Sequence, residues 1–184
     1  MIFPQFRRNR RADTISALYG MIVAQARSPV FYRDYAVADT VNGRFDLLLL
    51  HIALVVSRLT REEEGKPVGQ ELFDRFCTDM DDNLREMGIG DLSVPKHMKR
   101  VGEAFYGRAQ AYEQALAHPD DAALVETVER NIYGGSQADA ADRLATYIRR
   151  AVGELDGQNA AEIAAGSIRF PDPALTTERE QPTR

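Results

Sequence analysis

Apolar residues along this chain recur at the three-to-four-residue spacing of α-helices, and two-residue alternation never runs long enough to build a sheet. In "TISALYGMIVAQARSP", Ile15, Leu18, Tyr19, Ile22, Val23 and Ala26 share one helical face, and Ser28 with Pro29 ends the pattern. "VFYRDYAVADTVNG" mixes aromatic residues with turn signals and reads as a packed connection containing a short helix. From Arg44 to about Arg61 the segment is apolar on every side of the wheel, which predicts a helix buried by its neighbours. Beyond the charged turn "REEEGKPVG", Leu72, Phe73, Phe76, Cys77, Met80, Leu84 and Met87 form one apolar arc, with Asp74, Asp79, Asp81, Asp82 and Glu86 outside it. Gly88 suits the end of that helix and Pro95 the first turn of the next, whose stripe is Val94, Met98, Val101, Phe105, Ala109, Tyr112 and Leu116. Asp120 and Asp121 open a further helix that stops at two glycines, and Leu144, Ile148 and Val152 mark another.

The fold these patterns predict is all-α: a single compact multi-helix domain with a buried central apolar helix. A basic N-terminal arm occupies residues 1–13, the helical domain residues 14–165, and a flexible or extended C-terminal tail residues 166–184. The tail loses periodicity and gains prolines, so its removal after about Ile168 is expected to leave the fold intact.

Composition narrows the chemistry. The chain has 184 residues, 44% hydrophobic and 28% charged, enough for one well-buried domain. A net charge of -5 argues against general nucleic-acid affinity, and DNA is not an expected partner. The one cysteine, Cys77, precludes an internal disulfide and reads as a buried structural thiol in a reducing compartment. The longest apolar stretch, "LLLLHIALVV", falls well short of the roughly 18 to 20 residues that cross a bilayer. The start, "MIFPQFRRNRRADT", lacks the apolar region of a secretory signal and reads as a retained arm.

No metal-binding, phosphate-loop or nucleophile motif is present. In "DMDDNLREMGIGD", Asp79, Asp81 and Asn83 imitate the start of a calcium loop, but Leu84 stands where its glycine is needed and Gly90 where its bidentate carboxylate belongs. That stretch is instead the acidic outer face of an amphipathic helix. His51 lies inside the central apolar segment and admits two readings, a haem or metal ligand or a core histidine with satisfied partners. Arg44 stands close enough to neutralise Asp46 or Asp39.

Two charged regions are candidate partner sites. Lys96, Lys99 and Arg100 in "PKHMKR" sit near a helix N-terminus, where the macrodipole disfavours cations. They either pair with Asp91 and the acidic face of the preceding helix, or are held for an acidic or ribosomal-RNA partner. Asp79, Asp82 and Glu86 form the neighbouring acidic face, with a partner role as the alternative to simple solvation. In the arm, Phe3 and Phe6 beside Arg7, Arg8, Arg10 and Arg11 suit an anionic membrane surface, or else belong to a frayed terminus.

The blocks "GRFDLLLLHIALVVSRL", "LFDRFCTDMDDNLREMGIGDLSVPKHMKRVGEAFYGRAQAY" and "LYGMIVAQAR" resemble the ubiquinol-cytochrome c chaperone family, and the likeness runs from residue 14 to residue 155. The resemblance implies a non-enzymatic assembly chaperone, without cofactor, that binds newly made cytochrome b and supports assembly of respiratory complex III. It further implies a bacterial-type member, cytoplasmic and peripheral at the inner membrane, or at the matrix face if eukaryotic, with a possible ribosome contact near the tunnel exit. A membrane-protein client makes an apolar groove plausible, with Phe105, Tyr106 or Tyr112 in its lining.

Overall fold

A computed structural model of the chain describes residues 4–174, with side chains described from Arg11 onward. The described residues form helices α1 (Pro4–Ala26), α2 (Pro29–Arg33), α3 (Val41–Thr60), α4 (Lys66–Glu86), α5 (Val94–Leu116), α6 (Ala122–Ile132), α7 (Ala138–Asp156) and α8 (Ala160–Ala164), and no strand. Helix α1 begins at Pro4, ahead of Thr14 where the apolar spacing starts.

The uniformly apolar segment is α3, and it is the centre of the molecule. Every residue from Leu47 to Val55 is buried, because α1, α4, α5, α6, α7 and α8 all pack against it. Its start is fixed by Thr40, whose Oγ1 accepts the Gly43 N–H at 3.1 Å. Gly43 is required there: a Cβ at this position would lie 2.0 Å from the Ala38 carbonyl oxygen. The connection before α3 buries Phe31 and Tyr35 completely, as its aromatic composition predicts.

Helices α1 and α4 run in the same direction, joined by Arg11 to Glu71 at 2.6 Å and by the Tyr19 hydroxyl donating to Asp79 at 2.8 Å. Two arginines close helix C-termini. Arg58, 8% exposed, donates from Nε to the Leu155 carbonyl at 3.1 Å and from Nη2 to that of Gln158 at 2.9 Å. Arg149 donates to the carbonyls of Leu116, His118 and Asp120 beyond α5. Each bond satisfies a carbonyl that has no intrahelical donor, and guanidinium charge opposes the negative end of the helix dipole.

Beyond α8 the chain runs extended from Ser167 to Pro173, along α1 and across the end of α7. Ile168 is 8% exposed and Pro173 is buried. Phe170 packs with its ring centroid 5.5 Å from that of His51. This segment is part of the core cover, so cutting after Ile168 removes buried material, contrary to the expectation that the tail is dispensable.

Candidate partner-binding surfaces

His51 is fully buried and both ring nitrogens are engaged. The Leu47 carbonyl, 2.7 Å from Nδ1, can only accept, so Nδ1 carries the proton and Nε2 accepts from the Tyr147 hydroxyl at 2.9 Å. Gln25 donates to the same hydroxyl at 2.8 Å and to the Pro171 carbonyl at 3.1 Å. Burial lowers the imidazole pKa from 6.5 to about 4, against the opposing effect of the Leu47 hydrogen bond. No nitrogen is left to make an axial bond, and the geometry is that of a core histidine with satisfied partners.

The calcium-like stretch begins as the C-terminal turns of α4, residues 79–86, and ends in the turn that follows. Asn83 Nδ2 donates to the Asp79 carbonyl, and Arg85 pairs with Asp81 at 2.6 Å and also with Asp91. Asp79 departs from the solvated placement expected of it. It is half-buried against α1, where it accepts from Tyr19, with Arg75 4.0 Å away and stacked over the Tyr19 ring. Asp82, one turn further on, lies about 60° round the helix and stays in solvent, so the contact with Tyr19 is made by Asp79. Asp82 and Glu86 are exposed.

The pairing reading of "PKHMKR" does not hold. Asp91 is taken by Arg85, while Lys99 reaches only Glu103, at 3.7 Å within its own helix. Lys96 and Arg100 are exposed and form no ion pair among the described residues, and neither do Asp82 and Glu86. The turn between these charges is apolar and uncovered, with Leu92 99% and Met87 65% exposed. Met87, expected on the core arc of α4, lies beyond the helix end and has turned to solvent.

One side of α3 remains open. Between α3, α4 and α5 lies a groove of about 570 Å³, floored by Val56, Phe73 and Phe105 and bordered by Tyr106. Tyr106 is 60% exposed, 5.3 Å from the Phe73 ring and 5.6 Å from that of Phe105. Small residues line the slot at Ala53 and Ala109, and Gly69 lets α4 approach α3 closely, since a Cβ there would lie 3.1 Å from the Thr60 methyl. Phe105 and Tyr106 therefore line the groove as expected, but Tyr112 does not, being 2% exposed in the core. Cys77 is partly buried, and burial followed by the nearby Asp74 charge pushes its thiol pKa up, which keeps it protonated.

In the basic arm, Phe3 lies outside the described residues, as do the side chains of Phe6, Arg7, Arg8 and Arg10. Arg11 is exposed and pairs with Glu71. Arg44 bonds Asp39 at 2.7 Å, and Asp46 pairs instead with Arg108 of α5. Burial raises the Asp46 pKa, and Arg108 opposes that rise. The roles of Arg58, Arg149 and the extended segment were not read from sequence. For the segment a signal existed: Ile168 and Phe170 turn inward while Arg169 between them faces out, an alternation of three residues too short to stand out.

The profile of the family described as ubiquinol-cytochrome C chaperone matches residues 33–170. Ubiquinol-cytochrome-c reductase complex assembly factor 1 of Xenopus laevis is 24% identical over 142 residues, 76% of this chain and 70% of the relative. The Mus musculus protein of that name is 23% identical over 157 residues, 83% of this chain, and the chain spans about half of its length, 53%. Among solved structures, the crystal structure of the Cbp3 homolog from Brucella abortus is similar at 37% identity with a TM-score of 0.85, covering 95% of this chain and 98% of that one.

Proposed function

Because the chain belongs to the ubiquinol-cytochrome C chaperone family, we propose that it is a non-enzymatic assembly factor for ubiquinol-cytochrome c reductase that holds newly synthesised cytochrome b against the groove between α3, α4 and α5. The observation that carries this reading is the aromatic floor left open on an otherwise covered central helix, with Tyr106 60% exposed at its edge. A membrane-protein client offers apolar side chains before its own helices are paired, and a slot of this size accepts a few of them. It leaves the rest of the client free to fold.

Charges at the other end of the same two helices fit the same role. Lys96, Lys99 and Arg100 of α5 and Asp82 and Glu86 of α4, with the exposed Met87 and Leu92 in the turn between the helices, form a second surface whose charges steer and orient a partner. Asp79 is outside this set because it is committed to Tyr19. Phe3, Phe6, Arg7, Arg8, Arg10 and Arg11 would hold the protein at the cytoplasmic face of the inner membrane, where the client is inserted, and near a translating ribosome.

Co-purification from cells tests the proposal. Cytochrome b is expected to be enriched with the unaltered protein and lost with Tyr106→Ala, while an unrelated polytopic membrane protein is enriched with neither. Equal capture of both membrane proteins, or capture unchanged by Tyr106→Ala, would overturn the groove as the client site.

A further inference from the structure

The extended segment Ser167–Pro173 is held in an unusual manner for a core cover: its hydrogen bonds to the helical body are made through its main chain, and the Arg169 side chain adds only an exposed ion pair with Glu154 at 3.8 Å. Gln158 takes both polar groups of one residue, accepting the Arg169 N–H at 2.8 Å and donating to the Arg169 carbonyl at 2.9 Å. Gln25 donates to the Pro171 carbonyl at 3.1 Å, and the Tyr35 hydroxyl to the Pro173 carbonyl at 2.8 Å. Carbonyls 169, 171 and 173 are thus read at every second residue, the repeat of an extended strand. The path lengths agree with that repeat. From Gly166, which packs on Thr14, to Pro171 an extended chain advances roughly 16 Å at about 3.3 Å per residue. Helix α1 advances roughly the same from Thr14 to Gln25 at about 1.5 Å per residue.

The furrow that receives the segment does not depend on it. Gln25 is oriented by the Tyr147 hydroxyl. Gln158, 4% exposed, also donates to the Glu154 carbonyl and is held at its own carbonyl by Arg58. The Phe170 ring packs edge-on to His51, 5.5 Å away, and His51 is held in turn by Phe31, whose ring is 5.4 Å from it, and by Tyr147. Apart from that of Phe170, every one of these contacts is internal to the helical body. The segment itself hangs from Gly166 at φ +94°, a conformation that favours glycine.

We propose that this furrow is a binding site for an extended, proline-containing polypeptide read through its main chain, and that the protein's own segment Ile168–Pro173 is its resident, exchangeable occupant. The site has one N–H acceptor, Gln158 Oε1, placed for residue 169, and donors only at 171 and 173. Proline has no N–H to satisfy, so prolines at the second and third carbonyl positions cost nothing there. The preferred ligand is therefore apolar, any residue, aromatic, proline, any residue, proline, presented by another protein. Occupancy by the tethered segment means a competing ligand meets an effective concentration in the millimolar range, so exchange is driven by multivalent or locally concentrated partners. The inference stands apart from the assembly role and survives its failure.

Two measurements decide it. In the unaltered chain, the Arg169 amide is expected to exchange its hydrogen about a hundredfold or more faster than the amides of Tyr147 and Ile148 in α7, because the segment opens locally. Equal rates would mean that the segment leaves only when the whole protein unfolds, and would overturn the proposal. The chain contains no tryptophan, so Phe170→Trp gives a unique reporter in the His51 nest. A blocked peptide of residues 166–174 is expected to shift its emission to the red, saturably and with a midpoint on the order of millimolar. A peptide with alanine for Arg169 and Asp172 should act alike, and one N-methylated at Arg169 should not. Fast exchange at Arg169 with no peptide-induced shift would reduce the segment to a fraying tail and sink the site. An equal response to the N-methylated peptide would sink main-chain reading.

Discussion

The two long sides of α3 are finished differently. On the side of α1, α7 and the extended segment, His51, Tyr147, Gln25, Tyr35, Arg58 and Gln158 go into the interior and are each bonded across elements. On the side of α4 and α5, apolar rings line an open groove, and at the turn between these helices Leu92 and Met87 project into solvent near Asp82, Glu86, Lys96 and Arg100, which form no ion pair among the described residues. Both sides belong to one small domain, and the same kinds of residue were available to close each of them. The contrast separates two kinds of surface: the sealed side holds the fold, and the open side is the one on which the proposed client would recover surface energy.

The largest effect that tests this division comes from truncation. Removing the chain after Ile168 exposes the nest of Phe170 and strips acceptors from Gln25 and Tyr35, and is expected to cost about 4 kcal/mol in a denaturant titration. A loss under about 1 kcal/mol would show that the sealed side does not need its cover. Arg58→Ala comes next. It leaves the Gln158 carbonyl without its donor and removes one of the donors to the Leu155 carbonyl, and should cost about 2 kcal/mol.

His51 supplies a comparable effect that appears only with pH. Its folded pKa of about 4 lies below the ordinary 6.5, so between these values the unfolded chain binds a proton that the folded chain refuses. Its contribution is whole above about pH 6.5 and is lost as pH falls toward 4, by about 3 kcal/mol over that window at about 1.4 kcal/mol per pH unit. In His51→Gln the stability is lower near neutrality, but this component of the acid slope should vanish. Parallel slopes for the two proteins would contradict a buried neutral imidazole.

The smallest expected effect on folding lies on the open side. Lys96→Glu, Lys99→Glu and Arg100→Glu combined should change stability by about 0.5 kcal/mol or less, since these residues have no interhelical partners among the described residues. The same variant should weaken cytochrome b capture and reduce its salt dependence. Normal capture by a destabilised variant would reverse the reading and return these cations to the fold.

The helices were legible in sequence because most of them carry a single apolar face with terminal punctuation, as α4 does between Pro67 and Gly88 and α5 between Pro95 and Pro119. The buried centre was legible in α3 for the opposite reason, having no polar face. What stayed hidden depends on three-dimensional pairing. Asp79 looked like any other acid of its helix until Tyr19 of α1 was placed against it. Arg58 stood among charged neighbours at the end of α3, and nothing nearby in sequence named Leu155 and Gln158 as its acceptors. Phe105 and Tyr106 were seen as groove candidates together with Tyr112, and spacing alone had no means to send Tyr112 inward.

The central position of α3 also has a consequence in time. Its last covers, Tyr147, Leu155, Gln158 and Phe170, are translated long after Thr60 has left the ribosome. At about 5 to 20 residues per second, the most apolar helix of the chain waits on the order of 5 to 20 seconds for its roof. During that interval α1, α2, α4 and α5 can assemble on it only as a half-walled intermediate. Slowing translation between α5 and α7 would lengthen its life, and a protein that shields an unfinished membrane helix would pass through a similarly unshielded state during its own synthesis.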